Sequence, residues 1–283
     1  MVISQKSPPK SKTELAKELG VSRQSLYYKP KLPEKDLKLK AEIEEVMDDN
    51  KAYGHRRIAM ALNINHKRAS RIMKLYGIKP HRRRKSPIKP KDNNQAPMAI
   101  PNLIKGTIVE APHQVWVSDF TFLPYYGRFV YLATLEDIFT REIVGWELSA
   151  RHNEGLISSA LFKALKYRQT PLIVHSDQGS EYSSENYLNL LKSLNIRASM
   201  SEKASPWQNS YKESFYSNFK LELGHPECCG TIGELTEAIA QQIHYYNSRR
   251  IHTALKCPPA VFAQRVNCQN HLNFQAVAKA QSV

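Results

Sequence analysis

Apolar positions recur at helical spacing through the first 78 residues and give way, from residue 114, to strict alternation and short apolar runs. In KTELAKELGVSRQSLYY (12–28), Leu15, Ala16 and Leu19 share a face, Gly20 breaks the helix, and Ser22 stands where a second helix would be capped, with Leu26 inside it. Ala16, Gly20 and Leu26 keep the small–glycine–aliphatic spacing of a helix-turn-helix, whose second helix would carry Arg23 and Gln24 to base edges. A second helical unit follows. KLPEKDLKLKAEIEEVMDD places Leu37, Leu39, Ile43, Val46 and Met47 at helical spacing, and YGHRRIAMALN and NHKRASRIMKLYGI continue the pattern. Asn65 reads as the cap of the last of these helices.

Beyond residue 114 the period changes. QVWVSDFTFL alternates, GRFVYLATLED is nearly all apolar, and REIVGWELSA alternates again, with turns expected at Pro124–Gly127 and Phe139–Thr140. A helix (EGLISSALFKALKYR), a buried strand (PLIVHSD), a helix (SSENYLNLLKSLN), a short strand (IRASMS), a helix over about Asn209–Leu223 and a long helix (TIGELTEAIAQQIHYYNSRR) follow. The order βββαβαβα predicts an α/β fold of the ribonuclease H-like kind, a mixed five-stranded sheet with helices on both faces, preceded by all-α segments. The expected division is a helix-turn-helix segment at 1–30, a second helical unit at 31–78, a linker at 79–108, the α/β core at 109–266 and a tail at 267–283.

Charge sharpens this division. The 283 residues carry a net +15, and residues 1–105 hold 25 Lys and Arg against 10 Asp and Glu, so the remainder sums to zero. Such asymmetry points to a basic nucleic-acid-binding part joined to a neutral domain. Lys67, Arg71 and Lys74 follow i, i+4, i+7 spacing beside Arg68, a stripe able to track phosphates or simply a solvated helix face. Arg56 and Arg57 in the preceding helix are further candidates. KPHRRRKSPIKPK packs seven Lys or Arg into 79–91, including Arg82, Arg83, Arg84 and Lys85, and its prolines prevent a regular helix. The composition excludes a disordered chain, a collagen repeat and a disulfide scaffold. No run of eighteen apolar residues and no apolar leader core occurs, and four cysteines lack CxxC spacing. The expectation is a cytoplasmic, nucleoid-associated protein with no membrane contact.

Three carboxylates stand out by position. Asp119 lies inside the first strand, Asp177 just after an apolar strand, and Glu213 in a helix 36 positions later. An ionised acid within an apolar strand is costly unless paired or bound to a cation. If the first and fourth strands pair, Asp119 and Asp177 become neighbours, and three converging carboxylates would supply the oxygen ligands of Mg²⁺ or Mn²⁺. The plainer alternatives are a turn residue for Asp177 and an ordinary helix glutamate for Glu213. Asp137 is a fourth candidate but also reads as a turn residue, while Glu136, Glu181 and Glu202 read as surface residues. Asn209 and Lys212 are candidate DNA contacts, and Gly179 would let a DNA backbone approach. His175 reads as structural, and Trp207 and Tyr211 as packing. Arg249, Arg250 and His252 bind phosphate or cap the long helix.

VWVSDFTFLP, YLATLEDIFTREIVGW, IVHSDQGSEYSS, SPWQNSYKESFYSNFKLEL and YYNSRRIHTALKCPPAVF resemble the integrase core of bacterial insertion-sequence transposases. The likeness is to the downstream, OrfB-like product of the two-reading-frame group. Upstream, YGHRRIAMALNINHKRASRIMKLYGIKPHRRRK looks like the helical DNA-binding segment of these proteins, so the resemblance covers nearly all of residues 12–265. It implies an Asp-Asp-Glu metal triad at Asp119, Asp177 and Glu213, and the 35 residues between the last two agree with the family's pattern. It also implies two divalent ions, double-stranded DNA partners (terminal repeats and target), a homo-multimer on DNA, and an upstream-frame product as fusion or partner. The chain departs from the family pattern at Gln208, where Asp is usual, and at Ala204, where Gly is usual. The zinc module of retroviral integrases is not expected, since no cysteine precedes Cys228. Two other classes share parts of the pattern. A nuclease without strand transfer would need no paired helical units, and a silent DNA-binding regulator would need no carboxylates within strands.

Overall fold

A computed structural model describes residues 11–27, 32–82, 100–201 and 210–268. Helix α1 (Lys12–Glu18) opens with a capping box in which the Ser11 hydroxyl accepts the Glu14 N–H and the Glu14 carboxylate accepts the Ser11 N–H. The second helix expected at Ser22 is instead a short 3₁₀ segment at Arg23–Tyr27. Its sequence runs into Lys29–Pro30, and the residue before a proline is pushed out of the helical region. Helices α2 (Leu32–Asp49), α3 (His55–Ala61) and α4 (His66–Leu75) bury Leu39, Ile43, Tyr53, Ile58, Ala69 and Ile72 between them. The Asn65 side chain caps α4 as expected, accepting the Lys67 N–H at 2.8 Å.

Strands β1 (Val115–Tyr125), β2 (Arg128–Asp137) and β3 (Ile143–Ser149) form an antiparallel meander. Strand β1 runs on through Pro124 to Tyr125, so the hairpin is tighter than the sequence suggests. Tyr126 and Gly127, both at positive φ (45° and 70°), make the two-residue turn that suits strand twist. Strands β4 (Ile173–Ser176) and β5 (Arg197–Met200) add in parallel, giving the order β3-β2-β1-β4-β5. Helices α5 (Glu154–Leu165) and α6 (Glu185–Ser193) cover one face, where Trp116, Ala133, Leu135 and Val174 meet Leu156, Ala160 and Leu191. Helices α7 (Ser210–Leu223) and α8 (Ile232–Ser248) cover the other, with Leu132, Val130 and Ile143 against Phe215, Phe219 and Ile239. A last helix occupies 259–268. This is the mixed sheet, helical on both faces, that the periodicity predicts.

The helical unit touches the core beyond α8. The Ile251 N–H donates to the Tyr53 hydroxyl at 2.8 Å, and the Tyr245 hydroxyl donates to Asn50. Ile251 packs on the helical core. No helix among the described residues is long and apolar enough to cross a membrane.

Candidate active site

The site begins with strand register. Trp116 and Val117 of β1 face Val174 and His175 of β4 in a parallel ladder. Asp119 and Asp177 each stand two residues beyond Val117 and His175, the last paired residues of that ladder. Both carboxylates therefore lie where β4 ends and β1 continues, each partly buried. Asp119 Oδ1 accepts its neighbour Phe120's N–H at 2.8 Å. Asp177 Oδ1 accepts the Gly179 N–H at 3.0 Å. Burial pushes the Asp177 carboxyl above its ordinary value; the Gly179 N–H opposes this, Glu181 reinforces it and His152 opposes it. A half-desolvated acid next to another acid is short of positive charge.

Gly179 lies between these acids. A Cβ there would sit 3.1 Å from Glu181 Oε2 and 3.2 Å from Asp177 Oδ1, so any side chain would crowd both. Glu181, expected at the surface, is instead only 13% exposed at its side chain and lies 3.2 Å from His152 Nδ1. His152 in turn packs against Phe120 and Tyr131. Sequence reading missed this Glu181–His152 pair. The i, i+4 spacing from Asp177 to Glu181 was its one available signal.

Helix α7 is fastened to β1 and β2 beside Asp119. Asp119 pairs across the sheet with Thr134. The Tyr216 hydroxyl donates to the Asp119 carbonyl at 2.6 Å and lies 2.8 Å from Thr134 Oγ1. Lys212 Nζ donates to Thr134 Oγ1 at 3.0 Å and to its carbonyl at 3.2 Å. Lys212 and Tyr216 are four residues apart on one helix face, with Glu213 between them in the first turns of α7. The backbone of Glu213 is thus held next to the strand that carries Asp119. The side chain of Glu213 lies outside what is described, as do Asn209, Trp207, Ala204, Gln208 and Glu202 and the side chain of Tyr211.

Several expectations need correction. Lys212, expected to contact DNA, is fully buried, its ammonium 3.9 Å from Glu136 Oε2. Glu136, expected at the surface, is 3% exposed. The reason is local: the helix turns Lys212 onto the sheet, where β2 offers the Thr134 hydroxyl and the Glu136 carboxylate. Burial lowers Lys212 to about 8 with Glu136 and then Asp119 opposing, and burial raises Glu136. Both shifts follow desolvation, which therefore outweighs the attraction between the two charges. Arg71 is engaged too: its guanidinium grips the buried Asp36 through two bonds, at 2.8 and 2.5 Å, while its side chain stays 47% exposed beside Lys67, Arg68 and Lys74 on α4. Arg23, Gln24, Arg56 and Arg82 are exposed as expected, whereas Arg57 is half-buried. Arg83, Arg84 and Lys85 lie outside the described residues. Asp137 is a turn residue, accepting the N–H groups of Phe139 and Thr140 at 2.8 Å and of His113 at 2.5 Å. His175 is structural, buried with Nδ1 2.9 Å from Ser199 Oγ.

An oxygen-only donor set at Asp119 and Asp177, one of them short of positive charge, fits a hard divalent cation. Among the described residues no three His, Cys, Asp or Glu side chains gather as a metal group; Glu213 is the member whose side chain falls outside them. A mixed sheet of this order, with Asp119 on its central strand and Asp177 just past the end of the neighbouring β4, is that of a ribonuclease H-like core. Two family models described as integrase core domain match residues 109–206 and 194–259. The transposase for insertion sequence element IS904 of Lactococcus lactis is 36% identical over 77% of this chain and 89% of its own. The putative transposase InsK for insertion sequence element IS150 of Escherichia coli is 32% identical over 86% and 89%. Among solved structures, the magnesium complex of the HTLV-2 integrase catalytic core domain is similar at 17% identity and TM-score 0.43, covering 54% of this chain and 97% of its own. The chain belongs to the insertion-sequence transposases with an integrase core, a family of polynucleotidyl transferases.

Proposed function

We propose that the protein cleaves DNA at the ends of an insertion sequence and joins the freed strand to a new phosphodiester, using Asp119, Asp177 and Glu213. The observation that supports this reading is the parallel β1–β4 pairing, which ends at Val117 and His175, two residues before Asp119 and Asp177. The three carboxylates would hold Mg²⁺ or Mn²⁺, two ions in all, and when bound these supply charge stabilisation to the attacking and leaving oxygens of an in-line displacement. The chain itself does the positioning. Gly179 keeps the approach to Asp177 open, Phe120 and Gly179 N–H groups orient the two aspartates, and Tyr216 and Lys212 fix the helix that bears Glu213. No Ser, Cys or Tyr nucleophile is required, because positioning and electrostatics dominate such transfers.

The division into helical units at 1–30 and 31–78, a linker at 79–108 and a catalytic core at 109–266 belongs to the same proposal. Arg23, Gln24, Arg56, Lys67, Arg68, Lys74, Arg82, Arg83, Arg84, Lys85 and Asn209 are its proposed contacts to double-stranded DNA. Assembly as a homo-multimer, with the upstream-frame product as a further partner, is proposed on the family's account. The test is strand transfer on terminal-repeat DNA with Mg²⁺. Asp177→Asn and Glu213→Gln should each lose joining by at least a hundredfold while retaining DNA binding. Joining at the wild-type rate by either variant would refute the triad. Cleavage without joining in the wild type would favour the nuclease, and binding without cleavage the regulator.

A further inference from the structure

A cavity of about 200 Å³ lies away from the carboxylates, where α3, β2, α7 and the segment after α8 meet. Its walls include Arg57, Glu136, Ser214, Asn218, Arg250 and His252. Four buried wall atoms have no hydrogen-bond partner among the described residues: Arg57 Nε, Glu136 Oε2, Arg250 Nη2 and His252 Nδ1. Arg250 is only 2% exposed, and its Nε is already committed to Glu222 at 2.8 and 3.0 Å, while its Nη2 has no partner among the described residues. Buried polar groups in folded proteins are almost always satisfied, so these four unmade bonds set the wall of this cavity apart from an ordinary packed junction.

The sign of an occupant follows from the charges. Burial holds His252 at about 4, with Arg141, Arg250 and Arg57 all adding to the effect, and burial, then Arg250, lowers Arg57. Cations are crowded here. Of the acids, Glu222 is taken by Arg250, and Glu136 faces the Lys212 ammonium at 3.9 Å. What remains is positive, walled by guanidinium N–H donors, and open at the exposed Ser214 and half-buried Asn218. Guanidinium groups match the oxygens of a phosphate in geometry and charge.

We infer that this cavity binds one backbone phosphate of DNA, held by Arg57 and Arg250 with Asn218 and Ser214 at its mouth. This rests on the proposed function, and deepens it by assigning a grip shared between the helical unit and the core. Ser214 directly follows Glu213 on α7, so a strand seated here runs along the helix that carries the third carboxylate. Arg57 therefore acts inward, unlike its exposed neighbour Arg56.

The experiment uses the full chain with Asp177→Asn and no divalent ion, so that its outcome is independent of cleavage. Thermal unfolding is followed against inorganic phosphate at constant ionic strength set with chloride. Saturable stabilisation is expected, weakened at least tenfold by Arg57→Gln and by Asn218→Asp at the cavity mouth. Binding to a short DNA duplex is then measured against salt. Arg57→Gln should reduce the slope of log affinity on log salt by about 0.9, the value for one lost phosphate contact. No saturable effect of phosphate, or equal effects in all three proteins, would mean a water-filled void and overturn the site. Phosphate binding with an unchanged DNA slope would assign the cavity to a free anion and overturn the DNA assignment.

Discussion

Lys212 has no exposed surface, yet it keeps a charged group next to the helix residue proposed as the third metal ligand. Its ammonium satisfies Thr134 twice and stands 3.9 Å from Glu136, too far for a hydrogen bond but close enough to offset the buried charge. Removing one partner of a buried pair costs about 3–5 kcal/mol, because the other charge is left uncompensated, whereas replacing both is often near neutral. Lys212→Met should therefore lower the unfolding free energy by about that amount, and adding Glu136→Gln should restore most of it. Urea unfolding of the two single variants and the double variant measures this coupling directly. Additive losses across that cycle would mean that Lys212 acts through Thr134 alone. The same residue marks a limit of sequence reading. A lysine beside a helix glutamate has no periodicity that separates a DNA-facing side chain from one turned onto the sheet, and only the packing of α7 on β2 decides it.

At the scale of elements, strands and helices were legible because their periods differ. Alternation in QVWVSDFTFL and the apolar run in PLIVHSD set β1 and β4, and with them the two aspartates. The pairing of those strands was a condition the sequence could pose and only the ladder could meet. The Arg23–Tyr27 segment was misread as a full helix, since capping and one inner leucine look the same at the start of a 3₁₀ turn and of an α-helix. The Arg57–Arg250–His252 cavity was hidden for another reason: its walls are almost 200 positions apart and none belongs to a local pattern. Close contacts between elements leave a similar trace in single residues. Gly145 of β3 lies against α5, where an added Cβ would stand 2.5 Å from the Ala160 carbonyl and 2.6 Å from Ala164 Cβ. Backbone cannot yield as a side-chain tip can, so Gly145→Ala forces β3 and α5 apart. A loss of about 1–3 kcal/mol is expected from overpacking, read as a lower urea midpoint with an unchanged slope. Wild-type stability in that variant would mean that α5 is free to slide on the sheet.

Over the whole molecule, the net charge of +15 lies entirely in the first 105 residues, joined to a core in which acids and bases balance. The two parts answer different physical demands. A cleft that gathers carboxylates repels DNA until cations fill it, so affinity for the polyanion has to come from elsewhere on the chain. The proposed contacts, the exposed Lys67, Arg68 and Lys74 on α4 and the Arg82–Lys85 run of the sequence, would supply it, and such contacts bind by releasing counterions from the phosphates. Phosphate contacts carry no sequence information, which would leave base readout to a smaller proposed set such as Arg23 and Gln24. Replacing Arg82, Arg83, Arg84 and Lys85 together by Gln should then weaken binding to terminal-repeat and unrelated DNA by the same factor. The slope of log affinity on log salt should fall by up to about 3.6, or about 0.9 for each contact removed. Fluorescence anisotropy at several salt concentrations measures both quantities on either DNA. A loss confined to terminal-repeat DNA would instead show that this run reads bases, and the electrostatic grip would have to be sought on α4.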